Sequence, residues 1–342
     1  MAFSATDARW MAQALRLAES ATWAARPNPR VGCVLVSADG RLVGEGQTQA
    51  LGGPHAEVMA LRIAGKQAQG STAYVTLEPC NHTGRTGPCA QALIEAGVSR
   101  VVCAARDPSP QAGGGLATLR AAGLSAESGL LAASAEAQMV GFLSRMRRGR
   151  PWIRLKMAGS MDGRSALPDG RSQWITGPAA RRDGHRWRAR ACAIVSSAQT
   201  VLADGAQLTV RAVAVDEQPQ RVVVDRRAIL DGSQKVFDAQ APTHHLQGAQ
   251  WDVATVVQFL SELPANEVLL ECGPTMAAAW LRGGYVDELV IYTNPSLIGE
   301  GRPLVELPAL GDLQERLQLQ ITDIRRLGDD CRIMANPIAP AS

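Results

Sequence analysis

Aromatic side chains are scarce, at 4% of 342 residues. Proteins that grip single strands need them as stacking platforms, so nucleic acid is not an expected partner. An excess of one charge is missing too. Thirty-five Lys and Arg face thirty-two Asp and Glu, and the net +3 is too small to draw nucleic acid or an anionic membrane. Any anion preference must be local. No stretch approaches the ~18 uninterrupted apolar residues of a membrane helix, and Met1 to Asp7 lack the basic and apolar pattern of an export signal. Seven cysteines, odd in number and scattered, do not form the dense framework of a secreted domain. The expectation is a cytoplasmic protein without a membrane partner.

The chain is long enough for two domains, and its hydrophobic fraction of 46% can furnish a core in each. Thr6 or Asp7 can cap a helix with apolar positions Trp10, Ala14, Leu15, Leu17 and Ala18, running to about Thr22 and stopped by Pro27 and Pro29. Val31–Val36 and Leu42–Gly46 flank the turn residues Ala38-Asp39-Gly40 and predict a hairpin. Strands at Ala73–Leu77 and Val101–Ala104 alternate with helices at Ala56–Ala64 and Cys89–Ala96, and a helix over Ala132–Met146 closes this half. Gly113-Gly114-Gly115 is expected to be a flexible loop, since no dinucleotide fingerprint surrounds it. The basic stretch from Arg145 to Pro151 lacks interleaved aromatics and reads as a solvated linker, so the domains are placed at 1–147 and 148–342.

Beyond it, strands are predicted at Trp152–Met157, Ala193–Val195, Arg221–Val224, Val268–Leu270, Leu289–Tyr292, Leu317–Ile324 and Arg332–Met334, with helices at Gly177–Arg190 and Pro274–Leu281. Arg211–Pro219 and Asp238–Gln250 look like surface loops. The fold class is α/β in both halves.

Three pieces of the first half carry chemistry together. His55-Ala56-Glu57 opens a predicted helix, Glu78-Pro79-Cys80 follows a strand, and Cys89 opens the next helix. One His and two Cys are the ligand type zinc prefers, and a fourth position left open admits water. Glu57 can then shuttle a proton instead of ligating, the arrangement of zinc deaminases acting on nitrogen heterocycles. Each residue alone is more often a buried or satisfied side chain than a ligand. His82, Cys33 and Cys103 are discounted as further ligands, because a fourth protein ligand would close the site and the two cysteines lie in strand-like runs. In the second half, Glu271-Cys272-Gly273-Pro274-Thr275 is a strand-to-helix turn able to receive phosphate, a weak signal by itself.

The segments Pro27 to Cys33, Pro54 to Val58 and Thr76 to Cys89, with eight residues between the cysteines, resemble the bifunctional riboflavin biosynthesis deaminase/reductases of bacteria. Leu155 to Arg164, Ser172 to Thr176 and Glu271 to Thr275 are similar to that family's reductase half. The resemblance implies a cytidine-deaminase-like α/β/α layered domain followed by a dihydrofolate-reductase-like α/β domain. It implies that His55, Cys80 and Cys89 hold one zinc ion per chain, that Glu57 is the proton donor, and that Asn28 lines the base pocket. The implied substrate is a diaminopyrimidinone carrying ribosylamine 5′-phosphate. Deamination would precede NADPH-dependent hydride transfer to C1′ of the opened ribose.

Carried over residue by residue, Ala158, Trp174, Thr200, Asp204, Gly273, Pro274, Thr275, Met276, Ala277, Ala278 and Ala279 would contact NADPH. Ser172, Arg188, Leu208, Arg211 and Glu271 would contact substrate, the two arginines as clamps on the 5′-phosphate. Lys156 could orient the ribose or assist proton transfer. Arg226 stands where the family would place a small hydroxyl residue, and could favour a 2′-phosphate. A homodimer or larger assembly is expected from the family. A nucleic-acid base deaminase would share the zinc chemistry but should carry stacking aromatics; a zinc domain kept for stability, or a partner-binding protein, would have no use for Glu57.

Overall fold

The computed structural model of the chain describes residues 3–21, 25, 27–83 and 87–338. The expected helix end at Thr22 and the motif residues 84–86 lie outside them. Two compact units divide between Gly149 and Arg150.

In the first unit, helix α1 (Ala5–Ser20) starts at least two residues earlier than its sequence suggests. Ser4 is the cap: its hydroxyl accepts from the Asp7 amide while the Asp7 carboxylate accepts from the Ser4 amide, a capping box. Asp7 is thereby free to turn inward and accept from Tyr74 Oη at 2.7 Å and Arg100 Nη1 at 2.7 Å. Strands β1 (Gly32–Val36) and β2 (Leu42–Gln47) form the expected hairpin, followed by α2 (Ala56–Ala64), β3 (Thr72–Leu77), α3 (Cys89–Glu95), β4 (Arg100–Ala105), α4 (Gly115–Ala121) and β5 (Ser125–Ser128). The sheet order is β2-β1-β3-β4-β5, with β3, β4 and β5 parallel. Helix α1 and α5 (Ala132–Gln138) pack together, and α2, α3 and α4 form a second group, so the sheet lies between helical layers. Close packing of α2 depends on glycine: a Cβ on Gly46 would come within 2.4 Å of the Ala56 carbonyl oxygen.

Three expectations are corrected here. The helix over 132–146 is two helices, α5 and α6 (Val140–Arg148), broken where buried Met139 takes φ −122° and ψ 29°. The basic stretch is not a linker: Arg145 to Arg148 complete α6, Gly149 caps it in the left-handed region, and Arg150 pairs with Asp287 at 2.8 Å. The triple glycine is no flexible loop either. Gly114 (φ 93°) is the cap of α4, and Gly115 lies so close to the preceding motif that a Cβ would sit 1.9 Å from the Pro79 carbonyl oxygen.

The second unit contains β6 (Trp152–Ser160), β7 (Arg164–Ala166), α7 (Pro178–Arg190), β8 (Ala193–Ser197), α8 (Ala198–Asp204), β9 (Gln220–Asp225), β10 (Thr243–Gln247), α9 (Val253–Glu262), β11 (Glu267–Glu271), α10 (Pro274–Arg282), β12 (Glu288–Asn294), β13 (Arg302–Pro303), β14 (Leu319–Leu327) and β15 (Asp330–Pro337). The main sheet runs β10-β9-β8-β11-β6-β12-β15-β14. From β10 to β12 neighbouring strands are parallel, and β15 and β14 close the edge antiparallel. Its central strands are buried on both faces, which is why they read as continuous apolar runs. The supposed loop 238–250 holds β10, an edge strand whose Thr-His-His-Leu-Gln sequence hides it.

The two ends of this parallel array differ. The amino ends carry ion pairs: Arg154 with both Glu267 and Glu288, Arg190 with Glu267, and Arg221 with Asp238. The carboxyl ends, where ligands of open parallel sheets bind, receive the residues singled out by the sequence.

Candidate functional site

In the first unit, His55 is the cap of α2, Cys80 follows β3, and Cys89 begins α3. His55 Nδ1 lies 3.6 Å from Cys80 Sγ and 3.3 Å from Cys89 Sγ, and the Cys89 amide donates to Cys80 Sγ at 3.4 Å. All three ligand atoms fall within 4.8 Å of one another. Ordinary zinc bonds of ~2.3 Å to sulfur and ~2.0 Å to nitrogen give a tetrahedral N···S edge of roughly 3.6 Å. The donor set therefore fits zinc in both chemistry and spacing. Hydrogen bonds from Cys89 and His55 hold the Cys80 thiol below the usual thiol range, so the cluster favours a thiolate at Cys80.

Glu57, in the first turn of α2, is buried, and burial pushes its carboxyl up to about 7. It opens, with Asn28, His55, Cys80, His82 and Asp107, onto a cavity of about 440 Å³. His82 lines that cavity but stands outside the ligand cluster, and Cys33 and Cys103 are fully buried in β1 and β4. One residue escaped sequence reasoning. The Glu78 carboxylate accepts from the Leu116 amide at 2.9 Å and the Asp107 amide at 3.2 Å, binding the start of α4 and the loop after β4 to the segment that presents Cys80. A carboxylate wedged between an apolar strand and Pro79 was its only signal in the sequence.

In the second unit, the carboxyl ends of β6 and β11, helices α7 and α8 and the stretch after α8 gather a charged cluster. Arg188 donates to both oxygens of Glu271, at 2.6 and 2.8 Å, and through Nη1 to the Thr209 carbonyl at 3.1 Å. Burial alone would raise the Glu271 carboxyl; the Arg188 guanidinium, helped by Lys156, holds it at about 2 instead. Lys156, in register with Glu271 and Val290, has no hydrogen bond or ion pair among the described residues; its ammonium lies 6.0 Å from the Tyr292 ring centroid. Among the described residues the Arg211 side chain reaches only Thr209, at 2.8 Å to Oγ1. Burial raises Asp204, which accepts from Ser172 Oγ at 3.4 Å.

Thr200 Oγ1 accepts the Gly273 amide at 3.1 Å, just before α10, whose N-terminus has no side-chain cap. Uncapped amides at a helix start, after a parallel strand, suit a nucleotide phosphate. Within 273–279, Thr275 and Ala279 are exposed, Gly273, Pro274 and Met276 half-buried, and Ala277 and Ala278 turn into the core. Ala158 is half-buried near the end of β6. Leu208 is buried in a core cluster and takes φ 54°. Trp174 is 69% exposed and stacked on Arg181, 4.8 Å from guanidinium to ring. Arg226 is exposed and donates to the Ala249 carbonyl at 3.2 Å.

Residues 4–105 match the cytidine and deoxycytidylate deaminase zinc-binding region, and residues 151–333 match the RibD C-terminal domain. The riboflavin biosynthesis protein RibD of Escherichia coli strain K12 is 43% identical, over 95% of this chain and 97% of its own. Acinetobacter baumannii RibD superposes with a TM-score of 0.91 at 39% identity, covering 98% of this chain and 99% of that one. A Thermotoga maritima diaminohydroxyphosphoribosylaminopyrimidine deaminase/5-amino-6-(5-phosphoribosylamino)uracil reductase gives 0.91 at 30% identity, covering 97% and 99%. Among the described residues, no helix is long and apolar enough to cross a membrane.

Proposed function

This chain belongs to the RibD family, and from that premise we propose residue roles for its two activities. It is a deaminase and reductase of riboflavin biosynthesis, with a zinc-binding deaminase region, a reductase region that takes a nucleotide cofactor, and a small pyrimidine substrate. The substrate is the diaminopyrimidinone ribosylamino 5′-phosphate, deaminated first and then reduced. The convergence of His55, Cys80 and Cys89 beside Glu57, on one cavity, carries the reading.

His55, Cys80 and Cys89 hold one zinc ion, and zinc bound there supplies the Lewis acidity that makes water nucleophilic at neutral pH. Glu57 takes the proton from the attacking water and returns it to the amino nitrogen leaving as ammonia, as the exocyclic C–N bond gives way to C–O. Its burial keeps bulk water from that proton. Asn28 orients the pyrimidine from the cavity wall.

In the reductase half NADPH supplies the hydride. The uncapped start of α10, from Gly273 to Ala279, with Thr200, Asp204, Ala158 and Trp174, holds the cofactor. Arg188 is committed to Glu271 and Thr209, so it contributes charge and a fixed Glu271, whereas Arg211 offers its guanidinium fork to the 5′-phosphate. Ser172 and Leu208 complete the substrate wall. Lys156, with an uncommitted ammonium, orients the ribose and hands over the proton that opens its ring. The enzyme acts as a homo-oligomer in the cytoplasm, without nucleic acid.

The test supplies substrate and NADPH to the native chain and to Glu57→Gln while cofactor oxidation is followed. Oxidation by the native chain alone, restored to the mutant by the deaminated compound, is expected. No oxidation by either, even with the deaminated compound, would refute the assignment.

A further inference from the structure

We propose that His185 is a positioning residue of the reductase site, acting through Arg211. This rests on the reading of Arg211 as the phosphate ligand. His185 lies on α7, three residues before Arg188, on a half-buried part of the helix. Its Nδ1 accepts the backbone amide of Arg211 at 3.2 Å, and among the described residues it makes no other hydrogen bond. An amide proton pointing at Nδ1 requires a lone pair there, so the ring is neutral with its own proton on Nε2. The neighbourhood favours that form: burial disfavours the charged ring most, and Arg188, Arg211 and Lys156 add to it, against Glu271 alone.

The bond sits where the chain leaves the core. Leu208, Thr209 and Val210 are buried, and Gln218 clamps Val210 from both sides, with 2.7 Å to its amide and 3.0 Å to its carbonyl. Arg211 is the first exposed residue, and among the described residues its side chain hydrogen-bonds only to Thr209. His185 is therefore the tie from helix α7 to the Arg211 backbone, and it fixes where the guanidinium fork starts. A flexible arginine in its place would have to be ordered by each substrate molecule, a cost that appears in binding.

The experiment measures KM and kcat with NADPH for the deaminated compound and for its dephosphorylated form. The variants are His185→Ala, His185→Asn, Arg211→Ala and the His185→Ala/Arg211→Ala pair, each checked by thermal melting. Loss of one hydrogen bond predicts that His185→Ala raises KM about fivefold on the phosphorylated compound only, with kcat kept. Asn, whose carbonyl oxygen can stand in for Nδ1, restores it, and the double variant is no worse than Arg211→Ala. Equal losses on both compounds, no rescue by Asn, or additive effects would overturn the role of His185. If Arg211→Ala does not discriminate the two compounds, the phosphate reading itself falls and takes this role with it.

Discussion

Adding one methyl group at Gly115 tests how the zinc-ligand cluster is held. In Gly115→Ala the new Cβ would lie 1.9 Å from the Pro79 carbonyl oxygen and 3.0 Å from its carbon. Both neighbours are backbone, so α4 must retreat by more than an ångström or the Glu78-Pro79-Cys80 segment must give way. Overpacking of this kind costs up to about 3 kcal/mol. Retreat also breaks the Leu116 amide to Glu78 bond of 2.9 Å, worth about 2 kcal/mol for a carboxylate acceptor. The first cost alone lowers the melting temperature of a unit this size by roughly 6–12 °C. Calorimetry reads the melt, atomic absorption the zinc content, and reduction of the deaminated compound serves as internal control. Expected are an earlier transition, substoichiometric zinc and weakened deamination with reduction intact. A variant melting within about 1 °C of native with full zinc would refute the argument that α4 braces the cysteine segment.

Arg154→Ala removes the guanidinium that Glu267 and Glu288 share at the amino rim of the sheet, leaving Glu267 to Arg190 and Glu288 to the Trp152 indole; it should destabilise the second unit by about 3 kcal/mol, and more than Arg190→Ala, because Arg154 is 5% exposed and Arg190 20%. Urea titrations of both would settle the order, and equal losses would contradict it. Glu271 has its folded pKa held at about 2, below the unfolded value, so its contribution is present above pH 4.5 and is lost as pH falls toward 2. Stability measured between pH 5.5 and 3 should therefore fall more steeply for the native chain than for Glu271→Gln; parallel slopes would argue against an ionised Glu271.

The grouping of His55, Cys80 and Cys89 was legible because chemistry, order and placement converge. A histidine at one helix start and cysteines after a strand and at a second helix start are each commonplace, yet together they specify a donor set, and the fold brings them within 4.8 Å. The parallel strands were legible because burial on both faces leaves unbroken apolar runs. What stayed hidden depends on tertiary partners. Strand β10 is polar because it is an edge, and β5 offers only Ala126 as a buried residue. Gly115 looks like slack in the sequence because the carbonyl that requires it is 36 residues away, at Pro79. His185 gave no signal either, since its partner is a backbone amide 26 residues further on.

The second unit anchors its parallel strands at one rim and gathers its chemistry at the other. Arg154, Glu267, Glu288, Arg190 and Arg221 are spent on holding strand starts and helix ends in place. Residues at the opposite rim are thereby released from that duty. Substitutions at Ser172, Arg211 or Arg226 are therefore expected to leave the sheet intact, because none of the three takes part in the ion pairs of the far rim.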